Sequence, residues 1–575
     1  MEPNIDPAKP VAWRRIATAP VALVAVCALL AVGAHAAERT TPAGSFDTRP
    51  VQARHGKPHL PPHWQHGAFM EIFVRAYQDS DGDGIGDLRG LTQRLDYLRD
   101  LGVRGLWLMP VNRSADGDHG YAPTDHRAIE PAYGTLADFD ELLRQAHRRG
   151  IGVIVDYVIN HAASDHPAFV DARANPASRW RDWFVWADEA PQGWDIWGKN
   201  PWYATATEPW TFRGHPKDLP PPPPGTRGFY FGTFAQQMPD FDLRHGPARA
   251  YHLDSLRFWL NRGLDGFRLD ATPHLVENNA RDWNDQPESR ALTRELQDLI
   301  QAYPRRYLVC EATAKPREWA DPAVCGGAFA FGYVQHYVQA ALGQAESVEE
   351  LADWSLHATP RMATFLSNHD LFAGQRLWDQ VKGDEAAYKL AAAGYLLQPG
   401  TPFIYYGEEI GQGGVTSLPG DGSLRAPMSW SDEPRGAGFT TGTPFRPLAP
   451  NAATHNVRSQ QRRPGSIHAF YKAMLALRNG RASIARGGYG QAFAAGLTLG
   501  FQRMLGGERS LVLIHYGTEP AAVEIPGLSS GMRLRPLHPA AEAGARPLRA
   551  SPGGRLTLAL APRSVQVFAL EDRWR

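Results

Sequence analysis

Gly266-Phe267-Arg268-Leu269-Asp270-Ala271 is a short stretch in which apolar and charged side chains alternate. With a period of two, Phe267 and Leu269 face one side of an extended strand, and Arg268 and Asp270 face the other. An apolar segment holding Leu256, Phe258, Trp259 and Leu260 leads into it through Asn261-Arg262-Gly263, and the turn-prone Thr272-Pro273 follows. The stretch reads as a buried strand that ends in an Arg and an Asp placed alike, a carboxylate kept ionised and aimed by its neighbour. A surface strand with an i,i+2 ion pair would have the same pattern. The rest of the chain separates the two readings.

Three more stretches share the form of an apolar strand ending in acids, His or Asn: Val153–His161, Tyr307–Ala312 and Thr364–Asp370. Around them, extended and helical patterns alternate. Phe69–Tyr77, Gly105–Pro110, Val153–Val158, Phe329–Tyr333, Met362–Ser367 and Phe403–Gly407 read as strands. Leu88–Leu101, Leu136–Arg149, Ala248–Arg262, Arg290–Ala302, Glu385–Leu397 and Ser466–Leu477 read as helices. A βα series of this kind means a parallel sheet, and the arrangement it resembles is a (β/α)8 TIM barrel, in which the site lies at the C-terminal ends of the strands.

The series breaks over residues 159–245, which have no regular period, are rich in Trp and hold the stiff run Pro220–Pro224. A loop of that length inside a barrel is functional or a small inserted domain. From about residue 481 the texture becomes short apolar strands split by Gly and Pro, such as Leu511–Ile514, Ala522–Ile525 and Val565–Phe568, as in a small antiparallel β-domain. The expected organisation is a signal peptide over 1–36, a linker over 37–62, the barrel over 63–158 and 246–480, the insertion over 159–245 and the β-domain over 481–575.

With 575 residues, more than one core is expected. Basic and acidic residues balance at 60 each without a polybasic run, which argues against a nucleic-acid partner. The leader carries Lys9, Arg14 and Arg15, a charge-free run over Ile16–Ala34, and Ala34-His35-Ala36. That is the form of a secretory signal cleaved after Ala36, so the protein is expected to be periplasmic or secreted, with no stable membrane association afterwards. Cys27, Cys310 and Cys325 are too few for a disulfide scaffold. The sequence leaves open whether Cys310 and Cys325 are bridged, and it says nothing of oligomeric state.

Taken in order, the four strand-end motifs resemble the signature regions of the α-amylase family, glycoside hydrolase family 13. The resemblance extends through Phe69–Val111, Gly120–Thr135, Pro399–Ile410 and Arg425–Trp430, nearly all of residues 63–480. It implies hydrolysis of α-glucosidic bonds with retention, which needs two carboxyls flanking the bond. Asp270 would be the nucleophile and Glu311 the acid/base, which must hold a proton at rest. Asp370 would be the third carboxylate, binding sugar hydroxyls, and Arg268 would keep Asp270 ionised. His161 and His369 would donate to hydroxyls of the reacting sugar, and Tyr121 would stack on its ring. The pattern departs from the family at Ala122, where relatives often carry Asp, and at Phe241-Asp242.

Asp79-Ser80-Asp81-Gly82-Asp83-Gly84-Ile85-Gly86-Asp87 sets acids two apart around glycines, a rhythm that suits Ca2+ or Mg2+. It is no EF-hand, because Gly90 stands where that motif needs an acid. The resemblance implies a structural cation held by Asp79, Asp81, Asp83, Asp87 and the Ile85 carbonyl. It further implies that Arg425, in Arg425–Trp430, pairs with Asp118 to wall off the cleft beyond Tyr121. Only a terminal glucose of a malto-oligosaccharide or α-glucan would then enter. Ala271, small where relatives that cleave α-1,6 bonds carry Val, points to α-1,4 linkages. Two other enzyme readings stand beside this one: an α-glucosyltransferase or isomerase such as a trehalose synthase, suggested by Asp270–Leu275, and an endo-acting α-amylase. A catalytically silent scaffold of the same fold would have lost acids that are present here.

Overall fold

The computed structural model describes residues 46–206, 228–357, 360–540 and 547–572. The signal-peptide reading over 1–36, the first part of the linker and the proline run 220–224 lie outside the described residues. No helix among the described residues is long and apolar enough to cross a membrane.

Eight parallel strands are laid side by side: β1 Phe69–Ile72, β2 Gly105–Leu108, β3 Gly152–Tyr157, β4 Gly266–Leu269, β5 Tyr307–Cys310, β6 Ala328–Phe329, β7 Met362–Ala363 and β8 Phe403–Tyr405. They run β7-β6-β5-β4-β3-β2-β1-β8 across the sheet, and a parallel bridge between Thr364 and Pro402 joins the two ends. The closure is made by backbone bonds: Thr364 N–H donates to Thr401 O at 3.0 Å, and Phe403 N–H to Thr364 O at 2.8 Å. A barrel so joined leaves no open edge.

The alternation read in the sequence sorts the side chains. Phe69, Trp107, Ile154, Val309, Phe329 and Phe403 fill the barrel interior as one cluster. Met70, Leu106, Val153, Phe267, Leu269 and Ile404 pack outward with the helices in another. Two glycines make room for this inner layer. A Cβ on Gly105 would meet the Phe69 ring at 2.4 Å, and one on Gly152 the Trp64 ring at 2.1 Å.

The helices follow the sequence reading, with Leu136–Arg148, Gly246–Asn261, Pro287–Gln301, Glu385–Leu396 and Ile467–Gly480 all present. Thr135 and Asp138 form a capping box at the first of these, and the Ser466 hydroxyl accepts from Ala469 N–H at the last. Two expectations are corrected. The first strand stops at Ile72, and Val74–Tyr77 is a helical turn that delivers Arg75 to the Asp118 carbonyl. Leu88–Leu101 is two helices, Leu88–Gln93 and Leu95–Leu101, broken at Arg94, whose guanidinium covers Trp430 at 4.0 Å. The insertion has secondary structure of its own. It holds a helix, Pro167–Ala174, and a three-stranded sheet of Trp186–Ala187, Phe229–Phe231 and Trp202–Ala204.

After Gly480, a short helix Ala482–Arg486 leads into a six-stranded sheet whose pairs are all antiparallel, with Thr498–Leu505, Glu508–His515 and Ser564–Glu571 at its centre. Leu511, Leu513, Leu534, Phe568 and Leu570 build a separate small core under it.

Candidate active site

β3, β4 and β5 lie in register so that Asp156, Arg268 and Val309 are level. Arg268 alternates inward between Phe267 and Leu269, and only 1% of it is exposed. Its Nη1 donates to both Asp156 oxygens, at 2.8 and 2.9 Å, and to Oδ1 of Asp270. Its Nη2 reaches Oε2 of Glu311 at 2.8 Å. One guanidinium thus carries three carboxylates at the strand ends, the bridging for which Arg is suited and Lys is not.

Asp270 ends β4, and the chain then turns sharply. Ala271 takes a left-handed conformation (φ 49°), which a residue with a Cβ adopts only at a cost. That turn aims its N–H at Oε2 of Glu311, 3.0 Å away. Both donors to Glu311 converge on Oε2, so a proton on this residue belongs on Oε1. Arg268 likewise engages Oδ1 of Asp270, which leaves Oδ2 as the oxygen free to react. Burial pushes the Asp270 carboxyl well above its ordinary pKa, and Arg268 is the counterweight that favours its ionised form.

Asp370 lies 3.2 Å from His369 Nε2 and 3.4 Å from Arg425 Nη2. Burial, reinforced by Glu311, pushes its pKa up to about 7. Tyr121 donates its hydroxyl to Asp156 Oδ2 at 2.7 Å, and its ring lies nearly parallel to that of His369, with centroids 5.2 Å apart. His161 differs from expectation in one respect. Its Nε2 faces the Tyr121 carbonyl at 2.8 Å, an acceptor, so the proton sits there and Nδ1 is left to accept. Burial lowers the pKa of this histidine to about 4, so it is neutral and can receive a hydroxyl on Nδ1 rather than donate from it.

These groups line a cavity of about 710 Å³. Asp270, Glu311, Asp370, Tyr121, His161 and His369 line it together with His119, Asp421, Arg425 and Phe372, and Trp197, Phe234 and His274 form an aromatic cluster on its wall. Trp197, in the insertion, is 59% exposed and sits edge-on to His274.

The expected Arg425–Asp118 pair is not formed. Asp118 instead pairs with Arg446 at 2.5 Å, while Arg425 binds Asp370 and, at 3.3 Å, Asp421. Arg425 also donates to the His369 carbonyl at 3.0 Å, which ties it to the segment after β7 that carries Asp370. Asp156 and the His369-bound Glu71 are buried groups beneath the site that sequence reading passed over, and Arg446 is the unforeseen partner of Asp118. Asp156 stood inside a quoted motif, as the one acid in an apolar strand.

In the acidic loop, Asp79, Asp81 and Asp87 bring ligand oxygens within 4.8 Å of one another, a donor set that fits a hard divalent cation. Asp83 is outside this group, and its Oδ1 accepts from Ile85 N–H at 2.7 Å. Asp79 also accepts from the N–H groups of Asp81, Gly82 and Gly84 and from the Thr440 hydroxyl. Cys310 and Cys325 form a disulfide, with Cα atoms 6.4 Å apart, immediately before Glu311 in the chain.

The α-amylase catalytic-domain profile matches residues 71–487. A trehalose synthase/amylase of Mycolicibacterium smegmatis is 33% identical over 471 residues, covering 72% of this chain and 76% of the relative. A probable α-glucosidase of Rhizobium meliloti is 29% identical, covering 82% of this chain and 92% of its own length. Among solved structures, an α-amylase from H. orenii superposes with a TM-score of 0.73 at 28% identity, covering 88% of this chain and 100% of its own.

Proposed function

The chain belongs to the α-amylase family of enzymes acting on glucosidic bonds, and from that premise we propose that it is a retaining α-glucosidase that releases glucose from the non-reducing ends of α-1,4-linked malto-oligosaccharides. The observation that carries this reading is the Arg268 bridge. It seats Asp270 and Glu311 on neighbouring nitrogens of a single guanidinium, which favours the close carboxyl pair of a retaining enzyme.

Asp270 Oδ2 attacks the anomeric carbon as the glycosidic C–O bond breaks, and the Glu311 proton passes to the leaving oxygen. Glu311 then takes a proton from water, whose oxygen displaces Asp270 and frees glucose with its configuration retained. Asp370, His161 and His369 hold the sugar's hydroxyls in this scheme, and the small Ala271 leaves space for a 4-linked leaving sugar. Two ion pairs support an exo-acting site: Arg446–Asp118 beside His119, and Arg425 between Asp370 and Asp421. Arg425 and Asp421 line the cavity beside His119, and the Arg446–Asp118 pair holds the loop that carries His119, by different partners than the sequence suggested.

Asp79, Asp81 and Asp87 would hold Ca2+ or Mg2+, which would brace the loop after β1 and take no part in the chemistry. The buried Cys310–Cys325 bond supports an oxidising compartment after export.

Transfer of glucose to a second sugar is the second reading, favoured by the relative named trehalose synthase/amylase. Product profiles on maltose, maltotetraose and starch decide. Glucose released one unit at a time, with iodine staining of starch slow to fade, is expected. Trehalose or longer sugars from maltose would show a transferase, and rapid loss of iodine staining an endo-acting amylase. Arg446→Ala should relax the exo preference.

A further inference from the structure

Glu71, on β1, lies at the bottom of this network with 1% of its surface exposed, and its Oε1 is 2.6 Å from Nδ1 of His369. His369 is its only ion-pair partner among the described residues. No Arg or Lys among the described residues forms an ion pair with it, and Arg268 acts on it only from a distance, whereas Asp156, Asp270 and Glu311 pair with Arg268 directly.

The protons can be counted. Asp156 receives the Arg268 guanidinium, the Trp107 indole N–H at 3.3 Å and the Tyr121 hydroxyl at 2.7 Å, so it acts only as an acceptor. The single Tyr121 proton is thereby used. The Tyr121 oxygen, 2.6 Å from His369 Nε2, must then accept from it. Nε2 therefore carries the proton, and Nδ1 of a neutral ring presents a lone pair that only a donor can satisfy.

We infer that Glu71 is a positioning residue: a neutral carboxylic acid that donates to His369 Nδ1 and so fixes the Nε2–H tautomer facing Tyr121, Asp370 and the sugar. This rests on the reading of His369 as a substrate-binding residue. The electrostatics agree with it. Burial, with Asp370 next, drives the Glu71 carboxyl toward its protonated form, and burial, with Arg425 and Arg268, drives His369 toward its neutral form. An imidazolium–carboxylate pair would place two charges in the same buried space, where desolvation opposes them. The link to chemistry runs Glu71–His369–Tyr121–Asp156–Arg268, each in hydrogen-bond contact with the next, and ends on the two reacting carboxyls.

The test uses Glu71→Gln, which keeps an N–H donor of the same reach, and Glu71→Met, which keeps the length and removes the donor, each made in the wild-type and His369→Ala backgrounds. Maltose hydrolysis by the unaltered enzyme is measured first, so that failure of the functional reading is seen separately. Glu71→Met should lower kcat by at least tenfold with KM moved less than threefold, and Glu71→Gln should restore kcat to within about fivefold of wild type. In the His369→Ala background, Glu71→Met should change kcat less than twofold. If Glu71→Met costs the same in both backgrounds, Glu71 acts through packing and not through His369. If Glu71→Gln is as damaged as Glu71→Met while its Tm is that of wild type, the charge is what matters and the neutral-acid assignment is overturned.

Discussion

Arg268→Lys tests how much the site depends on one guanidinium. The substitution keeps a positive charge on a stem that reaches the same place, but a single ammonium cannot span Asp156, Asp270 and Glu311 as two nitrogens of a planar fork do. A hydrogen bond to a charged group contributes about 1.5–3 kcal/mol, so losing the bond to Asp270 alone should cost its ionised form about that much. The Asp270 carboxyl, already pushed up by burial, is thereby pushed up further as its counterweight weakens. As the proposed nucleophile, Asp270 attacks only when ionised, so a raised pKa moves the acid limb of kcat/KM to higher pH. The loss should be greatest at low pH, on the order of a hundredfold near pH 5, and shrink as pH rises. The assay is the pH profile of kcat/KM on maltose, with chemical denaturation to confirm folding. Arg268→Ala, which leaves buried carboxylates unpaired, should also lower stability by about 3–5 kcal/mol. A Lys variant within threefold of wild type, with its acid limb unmoved, would refute the reasoning.

Three further outcomes are expected. A chelator should lower Tm if Asp79, Asp81 and Asp87 hold a cation, with a loss of about 3 kcal/mol for a site filled at a hundred times its Kd; Asp81→Ala should abolish the effect, and an unchanged Tm in both proteins would remove the metal from the account. Cys325→Ser opens a bridge of sequence separation 15 and should cost about 3 kcal/mol of stability on chain-entropy grounds, with kcat falling because the bridge braces the strand that ends in Glu311; equal stability and turnover would contradict that. Glu408 is buried and its pKa is pushed up to about 7 by burial, against the hydroxyls of Tyr395 and Tyr471. The neutral acid's contribution is therefore full below about pH 4.5 and lost as pH rises toward 7, so the stability advantage of wild type over Glu408→Gln should shrink by about 3 kcal/mol across that window; a constant difference in urea melts at the two pH values would sink it.

The barrel was legible because its strands obey a period of two and carry their acids at one end. Phe267 and Leu269 against Arg268 and Asp270 announce which face is which, and the same grammar places Glu311 and Asp370. Side chains that converge from strand ends are set by the strands, and short-range pattern suffices to find them. Contacts made by loops are another matter. Asp118 finds Arg446 from 328 residues away, across segments that carry no periodic signal, so a family motif pointed to Arg425 instead. The insertion's sheet was invisible because its strands are two or three residues long, too short for alternation to register. The partner of Arg94, Trp430, splits a helix that local sequence would have continued. Glu71 was hidden for a related reason: it sits one residue from the end of an apolar strand, and only the ring of His369 above it gives the carboxyl a purpose.

The central claim is that Asp270 forms a covalent bond to glucose, and trapping that intermediate tests it most directly. The enzyme should be inactivated by a slow fluorinated α-glucosyl fluoride and then digested, and the labelled peptide identified by mass spectrometry. The account predicts a single fluoroglucosyl group on the peptide containing Asp270, with no label on the Asp270→Asn variant. A label on another residue, or product released first as the β-anomer with no trapped species, would contradict it.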